Sequence, residues 1–312
     1  AAPQLIGFFD SGENTQGVHE IDVVVRPDGS VLAAATVLQS YRHTAGELGD
    51  LRIIDISNPA DPVELADWDL RRDGPSEKVA ELMDQVHDEL ELHAHSATWA
   101  QSGYQLWVAN WDAGAVLLDT ADAENVEFVV MVGFDPESDG NAHTLAIDEE
   151  AGVMVRTDQD LVSATYGRHG VGWGDVHIYD ISNLDAIVEV GTFTTKRGSL
   201  DEEGATGHAD GLYSAHVVEI SDGKAFVAWY SDGVRVIDLS DPAAPDEMAS
   251  FVPPRRHDPQ DYWDAPDGNE AFALVWGIHV DGDYIYMSDT NSGLWIARYP
   301  IAIPPKERHG AE

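Results

Sequence analysis

Three stretches of the chain are versions of one another: "LRIIDISNPADPVELADW" from Leu51, "VHIYDISNLDAIVEVGTF" from Val176 and "VRVIDLSDPAAPDEMASF" from Val234. Each is an alternating apolar strand, an Asp, a Ser-Asn or Ser-Asp turn and a second strand. A fourth copy, "AVLLDTADAENVEFVVMVGF" from Ala115, keeps the strand and the Asp but loses the Pro, and a fifth, "LWIARYP" from Leu294, stops after its first strand. Ahead of each copy sits a hairpin of two further strands, as in "HVVEISDGKAFVAWYSDG" from His216, where Asp222-Gly223 marks a tight turn. Four short strands repeating every roughly 40–50 residues are the signature of a β-propeller.

The expected fold is therefore all-β: a single β-propeller domain over residues 1–312, with five four-stranded blades. The last copy lacks its fourth strand, and "AIPPKERHGAE" from Ala302 reads as a tail. The N-terminal "LIGFFD" (Leu5–Asp10), similar to "VGTFTT" in another copy, is expected to supply that strand and close the ring, removing the edges an open sheet would expose. One segment breaks the pattern. Pro75 and Ser76 form a start signal, and Val79, Leu82, Met83, Val86 and Leu90 recur at helical spacing, which predicts an amphipathic helix over about 75–92 between the first two blades.

The copies beginning "LRIIDISNPADP" and "VRVIDLSDPAAP" resemble the LVIVD-repeat family of β-propellers, and the likeness covers most of the chain through the third strands and the turns after them. The resemblance implies the fold. It implies little about activity, since members are mostly bacterial and archaeal, often exported, and many have no assigned reaction.

Charge excludes several partners. With 57 Asp plus Glu against 17 Lys plus Arg, neither nucleic acid nor an anionic membrane is an expected partner. Only Lys78, Lys196, Lys224 and Lys306 are lysine, a composition that suits strongly screening, high-salt surroundings. No apolar run is long enough to insert into a membrane, and there is no cysteine. The chain opens Ala1-Ala2-Pro3 rather than Met, as a removed export signal or a trimmed sequence would leave it, and a secreted or periplasmic location is expected.

Aligning the first strands of the blades gives "HEIDV" from His19, "HSATW" from His95, "HTLAI" from His143 and "HVVEI" from His216. With 13 histidines in the chain, chance does not place one at the same repeat position in four blades. In the fifth blade Trp276 holds that register, and His279, at an odd offset, belongs to the other face. First strands line a propeller axis, so these four imidazoles are expected to converge there as ligands of a transition metal, Fe or Cu before Zn, Mn or Ni. "HAH" makes His93 an outer or substitute ligand. The competing reading is that histidine recurs only because each blade hydrogen-bonds through it.

The mouth loops gather much of the scarce positive charge: Tyr41, Arg42 and His43, then Arg168 and His169, His208, and Arg255, Arg256 and His257. Aromatic walls come from Tyr166, Trp173, Tyr262 and Trp263. As a set they suggest a pocket for a small anionic or aromatic substrate, with His43, His169, His208, His257, Arg42, Arg168 and Arg255 as catalytic or substrate-binding candidates. "DPESDGN" (Asp135–Asn141) and "DAPDGNE" (Asp264–Glu270) only loosely resemble calcium loops.

The expected function is a metal-dependent enzyme, an oxidoreductase or oxygenase. Four-histidine axial sites are similar to those of carotenoid-cleaving oxygenases, and His-lined channels occur in the selenium-binding and methanethiol-oxidase group; both likenesses are at fold level. A metal-dependent hydrolase or lyase and a non-catalytic binding or assembly propeller are the alternatives.

Overall fold

The computed structural model describes residues 2–12, 15–39, 49–85, 92–134, 141–160, 173–199, 211–255 and 272–299. These form five antiparallel sheets in chain order, a five-bladed β-propeller. Blade 1 holds β1 (Thr15–Val25), β2 (Val31–Gln39), β3 (Leu51–Asp55) and β4 (Val63–Trp68). Blade 2 holds β5 (Ala94–Trp99), β6 (Gln105–Asn110), β7 (Gly114–Asp119) and β8 (Glu127–Val132). Blade 3 holds β9 (Ala142–Asp148), β10 (Val153–Asp158), β11 (Val176–Asp180) and β12 (Val188–Phe193). Blade 4 holds β13 (Val218–Ser221), β14 (Lys224–Trp229), β15 (Gly233–Asp238) and β16 (Asp246–Phe251). Blade 5 holds β17 (Val275–Asp281), β18 (Tyr284–Asp289) and β19 (Gly293–Arg298).

The repeated Asp explains itself in the turns. Asp55, Asp119, Asp180 and Asp238 each accept a bond from the backbone N–H two residues on, at 2.8–2.9 Å. Each such Asx turn ends a third strand and starts the reversal into the fourth. Asp222 and Gly223 both take positive φ (53° and 68°), as the two-residue hairpin between β13 and β14 requires.

Alternation along the strands buries one face of each blade on its neighbour. Leu32, Ala34, Leu51 and Ile53 of blade 1 meet Leu106 and Val108 of blade 2, and Trp107 and Leu117 meet Leu145 and Met154 of blade 3. Val155 and Ile178 meet Val227 and Ile237 of blade 4, and Phe226 and Val236 meet Ile278 and Met287 of blade 5.

The fifth junction differs. Ile21 is 59 % exposed on blade 1 and Leu294 68 % exposed on blade 5, on the faces these two blades would turn to each other. Leu5–Asp10, expected as the missing fourth strand, lies against blade 1 without forming a strand: Gly7 rests on the Pro59 carbonyl, and Phe9 packs on Ala33, Ala35 and Ile54. Among the described residues β19 pairs with β18 alone, so blade 5 has three strands.

The expected helix begins at its start signal as α2 (Ser76–Gln85), residues 86–91 beyond it lie outside the described residues, and a short helix the sequence analysis did not anticipate, α1 (Leu70–Asp73), precedes it. Asp69 caps α1 by accepting from Arg71 N at 2.8 Å, and Pro75, which disfavours a helical Gly74, separates the pair. Val79 and Leu82 reach the core between blades 1 and 2; Val86 and Leu90 lie outside the described residues.

The third strands of blades 1, 3 and 4 carry a cation at one repeat position, and it pairs with the fourth strand of the same blade. Arg52 meets Asp67 at 2.9 Å, Arg235 meets Glu247 at 3.1 Å, and His177 meets Glu189 at 3.0 Å. Burial alone would depress His177, but Asp158 at 3.1 Å and Glu189 hold its proton and push its pKa up to about 9. A pKa raised on folding contributes stability in full below the unfolded value near 6.5, and that contribution fades as pH rises through about 9. Urea unfolding should therefore show a loss on the order of 2 kcal/mol between pH 6 and pH 10 that His177→Arg removes.

Candidate metal centre

Each first strand carries a one-residue β-bulge at the aligned histidine. In blade 1, Val18 pairs with Val37 and Glu20 with Thr36, leaving His19 extra. In blade 2, Ala94 pairs with Asn110 and Ser96 with Ala109, leaving His95. In blade 3, Ala142 pairs with Asp158 and Thr144 with Thr157, leaving His143. In blade 4, His216 N donates to the Ala228 carbonyl while Ala228 N donates to that of Val217, the same two-against-one arrangement. In blade 5 the extra residue is Trp276. A bulge breaks strict alternation and re-aims a side chain, and here it turns all five towards the axis.

The rings follow one another around that axis. Centroids are 4.5 Å apart for His19 and His95, 4.0 Å for His95 and His143, and 3.9 Å for His143 and His216, with Trp276 4.8 Å beyond His216. Backbone carbonyls of the next blade fix the tautomers. His95 Nδ1–H donates to the His143 carbonyl at 3.1 Å, and His216 Nδ1–H donates to that of Trp276. His143 Nδ1 lies 2.7 Å from Thr144 Oγ1 and is also held by the His216 carbonyl. A proton fixed on Nδ1 leaves the Nε2 lone pair as the free donor.

The four imidazoles adjoin one another in sequence rather than converging on one point. The set whose donor atoms all lie within 4.8 Å of one another, among the described residues, is His19, Glu20 and His95. His19 Nε2 is 3.0 Å from His95 Nε2. Two nitrogens each about 2.1 Å from one ion, at right angles, are separated by about that distance. As the structure stands, His19 Nε2–H donates to the His95 lone pair, so an ion there would take the place of that proton.

Burial keeps the ring nitrogens neutral, as metal ligation requires. It lowers His19, lowers His95 and His143 well below the ordinary imidazole value, and takes His216 down to about 4. Burial pushes Glu20 up to about 7. His93, also taken down to about 4 chiefly by burial, stacks on Trp111 at 5.5 Å and lies 6.3 Å from His95, beside the centre. Trp111 approaches His95 to 5.0 Å, and Tyr230 approaches His216 to 4.7 Å, so aromatic rings border the imidazoles on both sides.

His279 stands apart, exposed and paired with Glu219 at 3.2 Å. Of the mouth-loop candidates, Arg255 is exposed just beyond blade 4 and Trp173 is buried against Tyr213. His43, His169, His208, His257, Arg42 and Arg168 lie outside the described residues, as do Tyr41, Arg256, Tyr166, Tyr262 and Trp263 and nearly all of both calcium-like loops. Sequence reasoning missed Glu20. A residue beside a strand histidine ordinarily faces away from it, and only the bulge brings the two donors together.

The LVIVD repeat matches residues 37–69, 170–195, 214–252 and 274–297. The chain carries the LVIVD repeat. No sequence among curated proteins matches it. A Lactobacillus plantarum protein of solved structure is similar over 90 % of this chain and 67 % of its own, at 12 % identity and a TM-score of 0.55. The Cps50 (Swd1) β-propeller domain of Myceliophteria thermophila is similar over 89 % of this chain and 83 % of its own, at 12 % identity and 0.51. A putative 6-phosphogluconolactonase from Bacteroides uniformis reaches 0.44 over 72 % of this chain and 52 % of its own, at 11 % identity. The first two likenesses share the propeller fold with the LVIVD chain, and at such identity they carry the fold alone.

The two kinds of histidine respond differently to truncation. His279→Ala should change unfolding free energy by no more than about 0.5 kcal/mol, whereas His143→Ala, which strips a partner from a buried carbonyl, should cost about 1–3 kcal/mol in urea unfolding.

Proposed function

We propose that this LVIVD-repeat chain is a metal-dependent oxidoreductase whose ion is held by His19, His95 and Glu20. The observation that carries the reading is the pair of Nε2 atoms at 3.0 Å beside a half-buried carboxylate. Two histidines and one carboxylate, with other coordination positions open, are the donor set of non-haem ferrous oxygenases, which favours iron, with copper next.

The ion would supply oxygen or one-electron chemistry. The chain supplies the rest. His95 is oriented by the His143 carbonyl, and the same hydrogen bond presents its Nε2 lone pair. His143 and His216 extend the neutral imidazole wall, while Trp111 and Trp276 offer flat faces for a small aromatic substrate. An anionic substrate would draw instead on the arginines of the mouth loops. The net charge of −40 fits work in strongly screened, high-salt surroundings, outside the cell in our reading.

A hydrolase is the second reading, because two histidines and a glutamate also form zinc sites that activate water. Elemental analysis of untagged protein purified without chelator separates the two. About one equivalent of iron or copper, lost in His95→Ala and weakened at least about tenfold in Glu20→Gln, is the expected result. Zinc in that place would move the assignment to hydrolysis, and no metal after reconstitution would reject both.

A further inference from the structure

A hydroxyl next to the bulge has the same task in blades 1, 2 and 3, whereas blade 4 carries Ala228 opposite Val217 and has no hydroxyl there. Thr36 stands opposite Glu20, accepts from its N–H at 3.1 Å, and donates 2.8 Å to the carbonyl of His95, the bulged residue of the next blade. Thr157 stands at the same register in blade 3 and donates to the carbonyl of His216, the bulged residue of blade 4. Blade 2 has Ala109 there, and Ser96 takes over the bond to the His143 carbonyl at 2.7 Å. In blade 5 the position is Ser288, opposite Gly277. Ser288 Oγ accepts from Gly277 N at 3.0 Å, the first half of what Thr36 does, and among the described residues its own hydrogen has no acceptor. Continued around the circle, its acceptor is the carbonyl of His19.

The N-terminal segment is placed for the same step. Gly191 of β12 rests on the Pro242 carbonyl in the turn of the following blade, and Gly7 rests on the Pro59 carbonyl in the matching turn of blade 1. Phe193 packs beside Trp229 of the following blade, as Phe9 packs on Ala33 and Ala35. Leu5–Phe9 thus already occupies, against blade 1, the seat of a fourth strand belonging to blade 5. The register follows from the other blades: Val176 pairs with Phe193 and Ile178 with Gly191, so Leu294 should pair with Phe9 and Ile296 with Gly7. That pairing covers the exposed faces of Ile21, Val23, Leu294 and Ile296.

We infer that blade 5 is the latch of the candidate metal centre: when β19 pairs with Leu5–Phe9, Ser288 donates to the His19 carbonyl and Trp276 closes the circle beside it, so that ring closure and metal capture are coupled. Ser288 is then a positioning residue for His19. The inference rests on the metal reading proposed above.

The chain has no cysteine, so a disulfide can report the closure without interference. Paired strand residues lie about 4.5–5.5 Å apart at Cα, within disulfide reach. Phe9→Cys with Leu294→Cys should crosslink on mild oxidation, and the off-register pair Phe9→Cys with Arg298→Cys should not. Co2+, titrated by its visible absorption, is the probe of the site. The oxidised in-register protein should bind Co2+ more tightly than its reduced form, Ser288→Ala should weaken binding about tenfold, and Ser288→Thr, the residue of blades 1 and 3, should restore it.

Equal crosslinking of both cysteine pairs, or of neither, would overturn the closure. Crosslinking in register with Co2+ affinity indifferent to both the disulfide and Ser288→Ala would overturn the coupling. An in-register crosslink in a protein that binds no Co2+ at all would sink the metal reading, and the coupling with it, while leaving the closure standing.

Discussion

The whole axial structure depends on one backbone irregularity repeated five times. Without the bulge, period-two alternation would point His95 and Ser96 to opposite faces, and the carbonyl of the bulged residue would be committed to its own sheet. With it, in blades 2 to 5 that carbonyl turns to the preceding blade and is met there by a hydroxyl or an imidazole N–H. A buried carbonyl left without a donor costs on the order of 1–3 kcal/mol. Each bond therefore locks blade to blade at the point where the sheets are closest. The flat apolar faces further out add burial but little direction.

The same bonds make the imidazoles available to a ligand. A histidine used only to stitch blades needs one nitrogen, Nδ1, and leaves Nε2 facing its neighbour. In the metal reading proposed above, structural and ligand roles would be two ends of one ring rather than rivals. The geometry separates the histidines by role all the same. His143 and His216 are consumed on one side by the next blade and on the other by adjacent rings, whereas His19, the most open of the four, meets His95 in a T-shaped contact with the two Nε2 atoms 3.0 Å apart. A carboxylate at this register, which a divalent ion would draw on, enters only in blade 1, where Glu20 replaces the Ser96, Thr144, Val217 and Gly277 of the other repeats.

The sequence made legible what is periodic. Repetition of Asp and Ser-Asn turns set the blades, and alignment of the first strands placed His19, His95, His143, His216 and Trp276 in one register, where the bulges put them. What breaks period was not legible. Glu20 was unreadable because a bulge changes the side a residue faces without changing its composition. The helix start at Pro75 and Ser76 is legible, whereas the short α1 turn begun by the Asp69 cap has no apolar periodicity to announce it. Blade 5 was short of a strand on paper, and the sequence named its replacement, but docking of that segment on blade 1 and its pairing with β19 are separate events that share one string of residues.

That separation is a consequence of how propellers are linked. Every other fourth strand is covalently tied to its own blade and is delivered to β3, β7, β11 or β15 by a tight Asx turn. The fourth strand of blade 5 is tied to blade 1 instead and must be delivered by packing alone. A loop closed over almost the entire chain carries a larger entropic cost than a hairpin of a few residues. The junction between the chain ends is therefore the weakest of the five on general grounds, and it is the one that borders His19 and Glu20. A metal ion that cross-links blade 1 to blade 2 through His19 and His95 would restrain blade 1 on the side away from that junction, and by linkage any preference of the ion for the closed ring is returned as stability of the closure.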